Sequence, residues 1–276
     1  MTIIIEPVAA GLTFTEGPRW YKSALWFSDF YTQSVYRLDQ NNKLTQVVKV
    51  PGRPSGLGWT VKGELLVVSM LSRELLRFDG RQFYQVADLS PFVTGDCNDM
   101  VVAQNGDAYI GNFGFDFTTQ KPKAAVLVRV DNRGNVSVVA EDMMFPNGSA
   151  ILNRGKTLVV AESFGKKLSA FDIAEDGSLG GRRVWADLGE FSPDGISVDA
   201  VGGIWVATPM ANQVMRVEEG GNISHRITLK KNPYACAVGG DDGEFLYICT
   251  SNAANEDECM AKKNAGIDRV DLRRFL

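Results

Sequence analysis

The chain has 276 residues, 45% hydrophobic and 22% charged, a balance that supports a buried core and excludes an intrinsically disordered polypeptide. Its formal net charge is −4 and no Lys/Arg run marks a nucleic-acid footprint, so nucleic acid is not expected as a partner. No segment reaches the roughly 20 apolar residues of a membrane span.

At the N-terminus, Met1-Thr2-Ile3-Ile4-Ile5-Glu6 lacks a basic region and its apolar stretch is too short for a secretory signal. The four cysteines, Cys97, Cys236, Cys249 and Cys259, have neither Cys-x-x-Cys spacing nor the density of a disulfide scaffold. Both features lead to the expectation of a reduced, cytoplasmic protein.

Six units of one pattern follow, roughly 40 to 50 residues apart, the spacing of propeller blades. The first runs from Glu16 through Ala24-Leu25-Trp26-Phe27-Ser28 to Val35-Tyr36-Arg37-Leu38-Asp39, and the second from Ser55-Gly56-Leu57 through Leu65-Leu66-Val67-Val68 to Leu76-Arg77-Phe78-Asp79. The third runs from Asn98 through Ala108-Tyr109-Ile110 to Val128-Arg129-Val130-Asp131. Thr157-Leu158-Val159-Val160-Ala161, Gly203-Ile204-Trp205-Val206 and Phe245-Leu246-Tyr247-Ile248-Cys249 are the corresponding strands of the last three. Short runs rich in Val, Ile, Tyr, Trp and Phe between Gly, Asn and Asp turns specify an all-β chain, and no amphipathic helix of three turns stands out. The reading is an all-β, six-bladed β-propeller forming a single domain over 1–276, with the N-terminal strand completing the last blade.

Four of the six units open on an oxygen-bearing side chain: Glu16 in Glu16-Gly17-Pro18, Asn98 in Asn98-Asp99-Met100, Asn147 in Pro146-Asn147-Gly148 and Asp194 in Pro193-Asp194-Gly195. A propeller gathers equivalent inner-strand positions around one central channel, so these four converge. Two carboxylates and two amides form a hard oxygen set that suits one divalent cation, calcium first, then manganese or magnesium. Zinc is a weaker candidate, because the set holds no His and no paired Cys.

These strings, in this order, resemble the senescence-marker-protein, gluconolactonase and luciferin-regenerating-enzyme family, and the resemblance covers essentially the whole chain. It implies a six-bladed propeller with a divalent cation in the channel, held by Glu16, Asn98, Asn147 and Asp194, and hydrolysis of a lactone. It further implies that Asp194 activates water. Sugar-lactone members of the family carry an Arg two residues before the first ligand Asn; this chain has Asp96 there, and Met100 where a Gly is expected.

A cation that polarises a lactone carbonyl and stabilises the developing oxyanion removes the need for a nucleophilic Ser. Asp194 is the candidate base, with Asp99 or Asp96 as alternatives. A Ser-His-Asp triad would have to use His225, the sole histidine, which falls in a polar strand expected at an outer blade edge. Cys97 alternates away from the channel if Asn98 points in, and is read as a buried structural thiol.

Two loops on the ligand-bearing face are unusually apolar: Gly111-Asn112-Phe113-Gly114-Phe115-Asp116-Phe117 and Met143-Met144-Phe145-Pro146. With Asp96 in place of Arg, they point to Asp96, Phe113, Phe115, Met144 and Phe145 as substrate-binding residues and to an apolar or aromatic lactone such as dihydrocoumarin. Phe115 and Phe117 have a plainer reading as packing between blades. The alternatives are a sugar lactone, an organophosphate or other ester as in the related paraoxonase and diisopropyl fluorophosphatase propellers, and a binding propeller whose cation serves stability alone. The expected partner is a small-molecule lactone, with no nucleic acid and no membrane, and the chain is expected as a monomer or weak homo-oligomer.

Overall fold

The structure, a computed structural model, describes residues 3–116 and 118–275. Phe117, one of the loop aromatics singled out above, lies outside the described residues, as do Met1, Thr2 and Leu276.

Six four-stranded antiparallel sheets are arranged as blades. Their innermost strands are Thr15–Trp20, Pro54–Trp59, Cys97–Val102, Pro146–Leu152, Ile196–Val198 and Asn232–Gly239 in blades 1 to 6. Each inner strand touches those of both neighbouring blades, which closes the ring around the channel. In five blades the strands follow chain order outward, whereas the outermost strand of blade 6 is Ile5–Leu12, paired with Ala265–Asp271. The chain then passes through Thr13 and Phe14 into the inner strand of blade 1. Asp29 fixes that passage, because its buried carboxylate accepts the N–H of Thr13 at 3.1 Å and of Phe14 at 2.8 Å.

A blade is covered on both faces, so its second strand need not alternate polar and apolar residues. Leu65–Ser69, Ala108–Asn112, Thr157–Glu162 and Ile204–Thr208 are buried at every position. The core is divided accordingly into six clusters, one between each adjacent pair of blades. A seventh cluster, of Phe14, Phe30, Met70, Ala253 and Cys259, joins the connections of blades 6, 1 and 2 at the end where the inner strands start. Among the described residues the α-helix is Glu256–Lys262, two turns long, and no helix is long and apolar enough to cross a membrane.

Two glycines show how tightly the inner strands approach. A Cβ on Gly148 would lie 2.4 Å from the Ile196 nitrogen, and one on Gly195 would lie 2.6 Å from the Ala235 Cα. The Gly of Asn147-Gly148 and Asp194-Gly195 is therefore a packing requirement between blades, and Gly148 lies within the strand Pro146–Leu152 instead of a turn.

Candidate metal centre and pocket mouth

The starts of the six inner strands place Glu16, Ser55, Asn98, Asn147, Asp194 and Tyr234 at equivalent positions. In blades 1, 2, 3, 4 and 6 a β-bulge falls at that position, between Glu16 and Arg19, Pro54 and Leu57, Cys97 and Met100, Pro146 and Ser149, and Pro233 and Ala235. A bulge bends its strand and re-aims a side chain, so the residues of these five blades are turned by a shared device. In blade 5 the same place is held by Asp194 N–H donating to the Ala207 carbonyl at 2.9 Å and Ala207 N–H donating to the Gly195 carbonyl at 3.0 Å.

Glu16, Asn98 and Asn147 are buried, and Asp194 keeps partial exposure. Burial raises the Glu16 carboxyl well above the usual range, and the charges of Asp194 and Asp99 add to the rise against the Gly17 N–H and Arg19. Asp194 is pushed up to about 8, chiefly by burial and then by Asp99, against hydrogen bonds from the Asn147 amide and the Gly195 N–H. Three carboxylates thus crowd one end of the channel, and of the three only Asp99 is in contact with a cation: Arg19 Nη2 lies 2.7 Å from its Oδ1. The same guanidinium donates to the Pro18 and Met100 carbonyls, and Met100 N–H donates to Asp99 Oδ1 at 2.8 Å. Among the described residues Glu16 and Asp194 form no ion pair within 4.0 Å.

The amides are tied through their NH2 groups. Asn98 Nδ2 faces the Pro146 carbonyl at 3.5 Å, and Asn147 Nδ2 donates to Ser163 Oγ at 3.2 Å, which leaves the amide oxygens for another partner. Two uncompensated carboxylates with two amide oxygens form a donor set that could hold a hard divalent cation. No cluster of three or more His, Cys, Asp or Glu side chains suited to a metal occurs among the described residues, so any cation here would depend on the two amides.

Tyr234 fills the sixth position and escaped the sequence reading. Its ring packs on Phe14 with centroids 4.5 Å apart, and burial together with the charges of Asp194, Cys259 and Glu16 raises its hydroxyl, against a hydrogen bond with Asn232. A signal was available: Pro233-Tyr234-Ala235 repeats the register of Pro54-Ser55-Gly56, Pro146-Asn147-Gly148 and Pro193-Asp194-Gly195.

Around the mouth, Phe113 and Phe145 stack at 4.5 Å, with Phe164 against Phe145 at 5.2 Å. Phe115 is 2% exposed and packs against Phe145 and Phe164, so it backs this aromatic layer from beneath and does not itself line the mouth. Met144 is half-buried beside them. Asp96 is half-buried too; burial raises its carboxyl, Arg73 and Arg53 draw it back, and Asp116 adds to the rise. Backbone hydrogen bonds explain this grouping. Met70 N–H donates to the Arg53 carbonyl at 2.9 Å, and the Met70 carbonyl accepts from Arg73 at 3.2 Å and Cys97 at 3.3 Å. Arg53 also stacks over Tyr31 and pairs with Glu256 at 2.8 Å.

Cys97 is buried between blades 2 and 3, and burial pushes its thiol up to about 12, which leaves it no thiolate character at neutral pH. His225 lies on Ile223–Thr228, the outermost strand of blade 5, beside a rim cavity of about 540 Å³ that also touches Glu6 and Arg269. A larger cavity, about 870 Å³, occupies the opposite mouth of the channel, bordered by Arg19, Trp20, Val102, Leu152 and Val238.

The fold and the channel site define a six-bladed propeller with an oxygen-donor centre at one end of its axis. The family model for the SMP-30/Gluconolactonase/LRE-like region matches residues 14–252, and the chain belongs to that family. It is 24% identical over 266 residues to a 6-deoxy-6-sulfogluconolactonase of Pseudomonas putida, covering 94% of this chain and 89% of that one. It is 27% identical over 267 residues to regucalcin of Xenopus laevis, covering 90% and 86%. A solved luciferin-regenerating enzyme superposes with a TM-score of 0.83 at 18% identity, over 98% of this chain and 95% of that one, a likeness of fold.

Proposed function

We propose that the chain is a divalent-cation-dependent lactone hydrolase. The observation that carries this reading is the convergence of Glu16, Asn98, Asn147 and Asp194 at equivalent inner-strand positions, with the Glu16 carboxylate buried, that of Asp194 partly so, and neither in an ion pair. Membership of a family whose description includes gluconolactonase supports the reaction class. Glu16, Asn98, Asn147 and Asp194 would hold the cation, calcium first. A bound divalent cation supplies Lewis-acid polarisation of the lactone carbonyl and stabilises the charge that develops on its oxygen.

The remaining work falls to the chain. Asp194, partly exposed, is placed to accept the proton of the attacking water, and a cation bound beside it would keep its carboxylate ionised, the form a general base requires. Asp99, the alternative base, has Oδ1 engaged by Arg19 and by Met100 N–H, which suits it to electrostatic positioning instead. Phe113 and Met144, backed by the buried Phe145, present an apolar wall for an aryl or alkyl lactone such as dihydrocoumarin. A sugar-type lactone is the second reading. Arg53 and Arg73 beside Asp96 favour it by keeping positive charge at the mouth, as does the kinship with the sulfogluconolactonase.

The test is hydrolysis of dihydrocoumarin, gluconolactone and a phosphotriester before and after chelation, with calcium, manganese, magnesium or zinc added back. Cation-restored turnover of dihydrocoumarin is the expected result. Preference for gluconolactone would keep the centre and replace the substrate class, and preference for the phosphotriester would make the chain an organophosphate hydrolase. Cation-dependent melting with no turnover would leave a binding propeller.

A further inference from the structure

We propose that Ser163 is a positioning residue that sets the orientation of the Asn147 amide and joins the strand starts carrying Asn147 and Asp194; the inference rests on reading those two residues as cation ligands. Ser163 follows the second strand of blade 4, Thr157–Glu162, and the segment 162–164 grips the turn that leads into Asn147. Glu162 Oε2 accepts the Met144 N–H at 2.8 Å, Ser163 N–H donates to the Phe145 carbonyl at 3.1 Å, and Phe164 N–H donates to the Met144 carbonyl at 3.2 Å. Glu162 is itself buried and held by Arg182 at 3.2 Å and by the Ser169 hydroxyl at 2.5 Å.

Held in this way, the Ser163 hydroxyl bridges two blades. It donates to the Pro193 carbonyl at 2.7 Å and accepts from Asn147 Nδ2 at 3.2 Å. The direction of these bonds is forced by chemistry. A carbonyl can only accept, so the single hydroxyl proton goes to Pro193, and the oxygen that faces Asn147 can then only accept. Asn147 must therefore turn its NH2 toward Ser163, which leaves its amide oxygen for the channel. The Pro193 carbonyl fixed by the same hydroxyl precedes Asp194 directly, so one side chain orders two of the four candidate donors. Without it, a flipped amide would present N–H groups where a cation needs an oxygen.

The experiment uses the full chain stripped of cations with EDTA. Calcium affinity is measured by calorimetric titration for wild type, Ser163→Ala and Ser163→Thr, and the Tm of each is recorded in EDTA. Ser163→Ala is expected to weaken calcium binding by about 10- to 100-fold with little change in the EDTA Tm, and Ser163→Thr, which keeps the hydroxyl, to restore affinity to within about threefold. Wild-type affinity in Ser163→Ala would overturn the proposal, as would a lowered EDTA Tm with unchanged affinity, the mark of a merely structural role. A loss shared equally by Ser163→Thr would also overturn it. Should Ser163→Ala fail to fold, Ser163→Cys, whose thiol is a weak donor, is read in its place against the same criteria. A wild-type protein that binds no calcium, magnesium or manganese removes the cation reading itself and this inference with it, an outcome distinct from equal binding by wild type and variant.

Discussion

The propeller treats its buried and half-buried carboxylates in two ways. Away from the strand starts, Asp199 pairs with Arg216 at 2.7 Å, with side chains only 1% and 6% exposed, and Asp107 pairs with Arg129 at 2.8 Å. Glu64 pairs with Arg77 at 2.9 Å. In each of these blades the third strand supplies an arginine to a carboxylate at its own end. At the strand starts, Asp99 has Arg19 and Asp29 has two backbone N–H groups, but Glu16 and Asp194 have neither an arginine nor a lysine. Hydrogen bonds reach both, from Gly17 N–H to Glu16 and from the Asn147 amide and Gly195 N–H to Asp194, but neither has a cation in contact to offset their mutual repulsion, which supports the proposal of an external cation there. The same chain solves the problem internally elsewhere, which makes the exception informative.

The largest expected effect is at the uncompensated carboxylates. Glu16→Gln and Asp194→Asn should each lower lactone kcat/KM by about 10³-fold, several kcal/mol of lost transition-state stabilisation, and weaken calcium binding in parallel. In EDTA both variants should melt no lower than wild type, because a repelling charge has been removed; a clear loss of EDTA Tm would break the contrast. At the compensated carboxylates the consequence should be reversed. Arg216→Met strands the Asp199 carboxylate and should cost about 3–5 kcal/mol in denaturant unfolding, with calcium affinity unchanged.

The contrast also predicts a pH dependence. The folded pKa of Asp194, about 8, lies above its ordinary value of 3.8, and Glu16 is shifted in the same direction. Between those values the folded state binds more protons than the unfolded one, so cation-free stability falls as pH rises through that window. Saturating calcium should abolish the fall, since the ionised carboxylates then have a partner. Tm measured across pH 5 to 9 in EDTA and in calcium checks this, and parallel curves would contradict it. The smallest effect concerns the mouth. Phe113→Ala should reduce kcat/KM on dihydrocoumarin about tenfold relative to gluconolactone, and an equal reduction on both would return Phe113 to a packing role.

The ring, and the equivalent positions of Glu16, Asn98, Asn147 and Asp194 in it, were legible because each follows from local chemistry repeated around an axis. A Gly after the candidate donor is required where strands nearly touch, as at Gly148 and Gly195, and the second strands of the blades are rich in apolar residues because both faces are covered. Contacts between blades were not legible. Arg19 and Asp99 are 80 residues apart, and their pairing depends on which side of each bulge a side chain leaves. Phe115 could not be separated from Phe113 by spacing, because only the tertiary path of the loop buries one beneath Phe145 and Phe164. Tyr234 was passed over because an aromatic ring does not read as a donor, although its Pro-x-Ala string stands in register with the others.

The most direct test of the central claim is a calorimetric titration of calcium into EDTA-stripped wild type and into the Glu16→Gln/Asp194→Asn double variant. One site per chain in the wild type, lost in the double variant, is the predicted result. Absence of binding in the wild type, or binding that survives in the double variant, would contradict it.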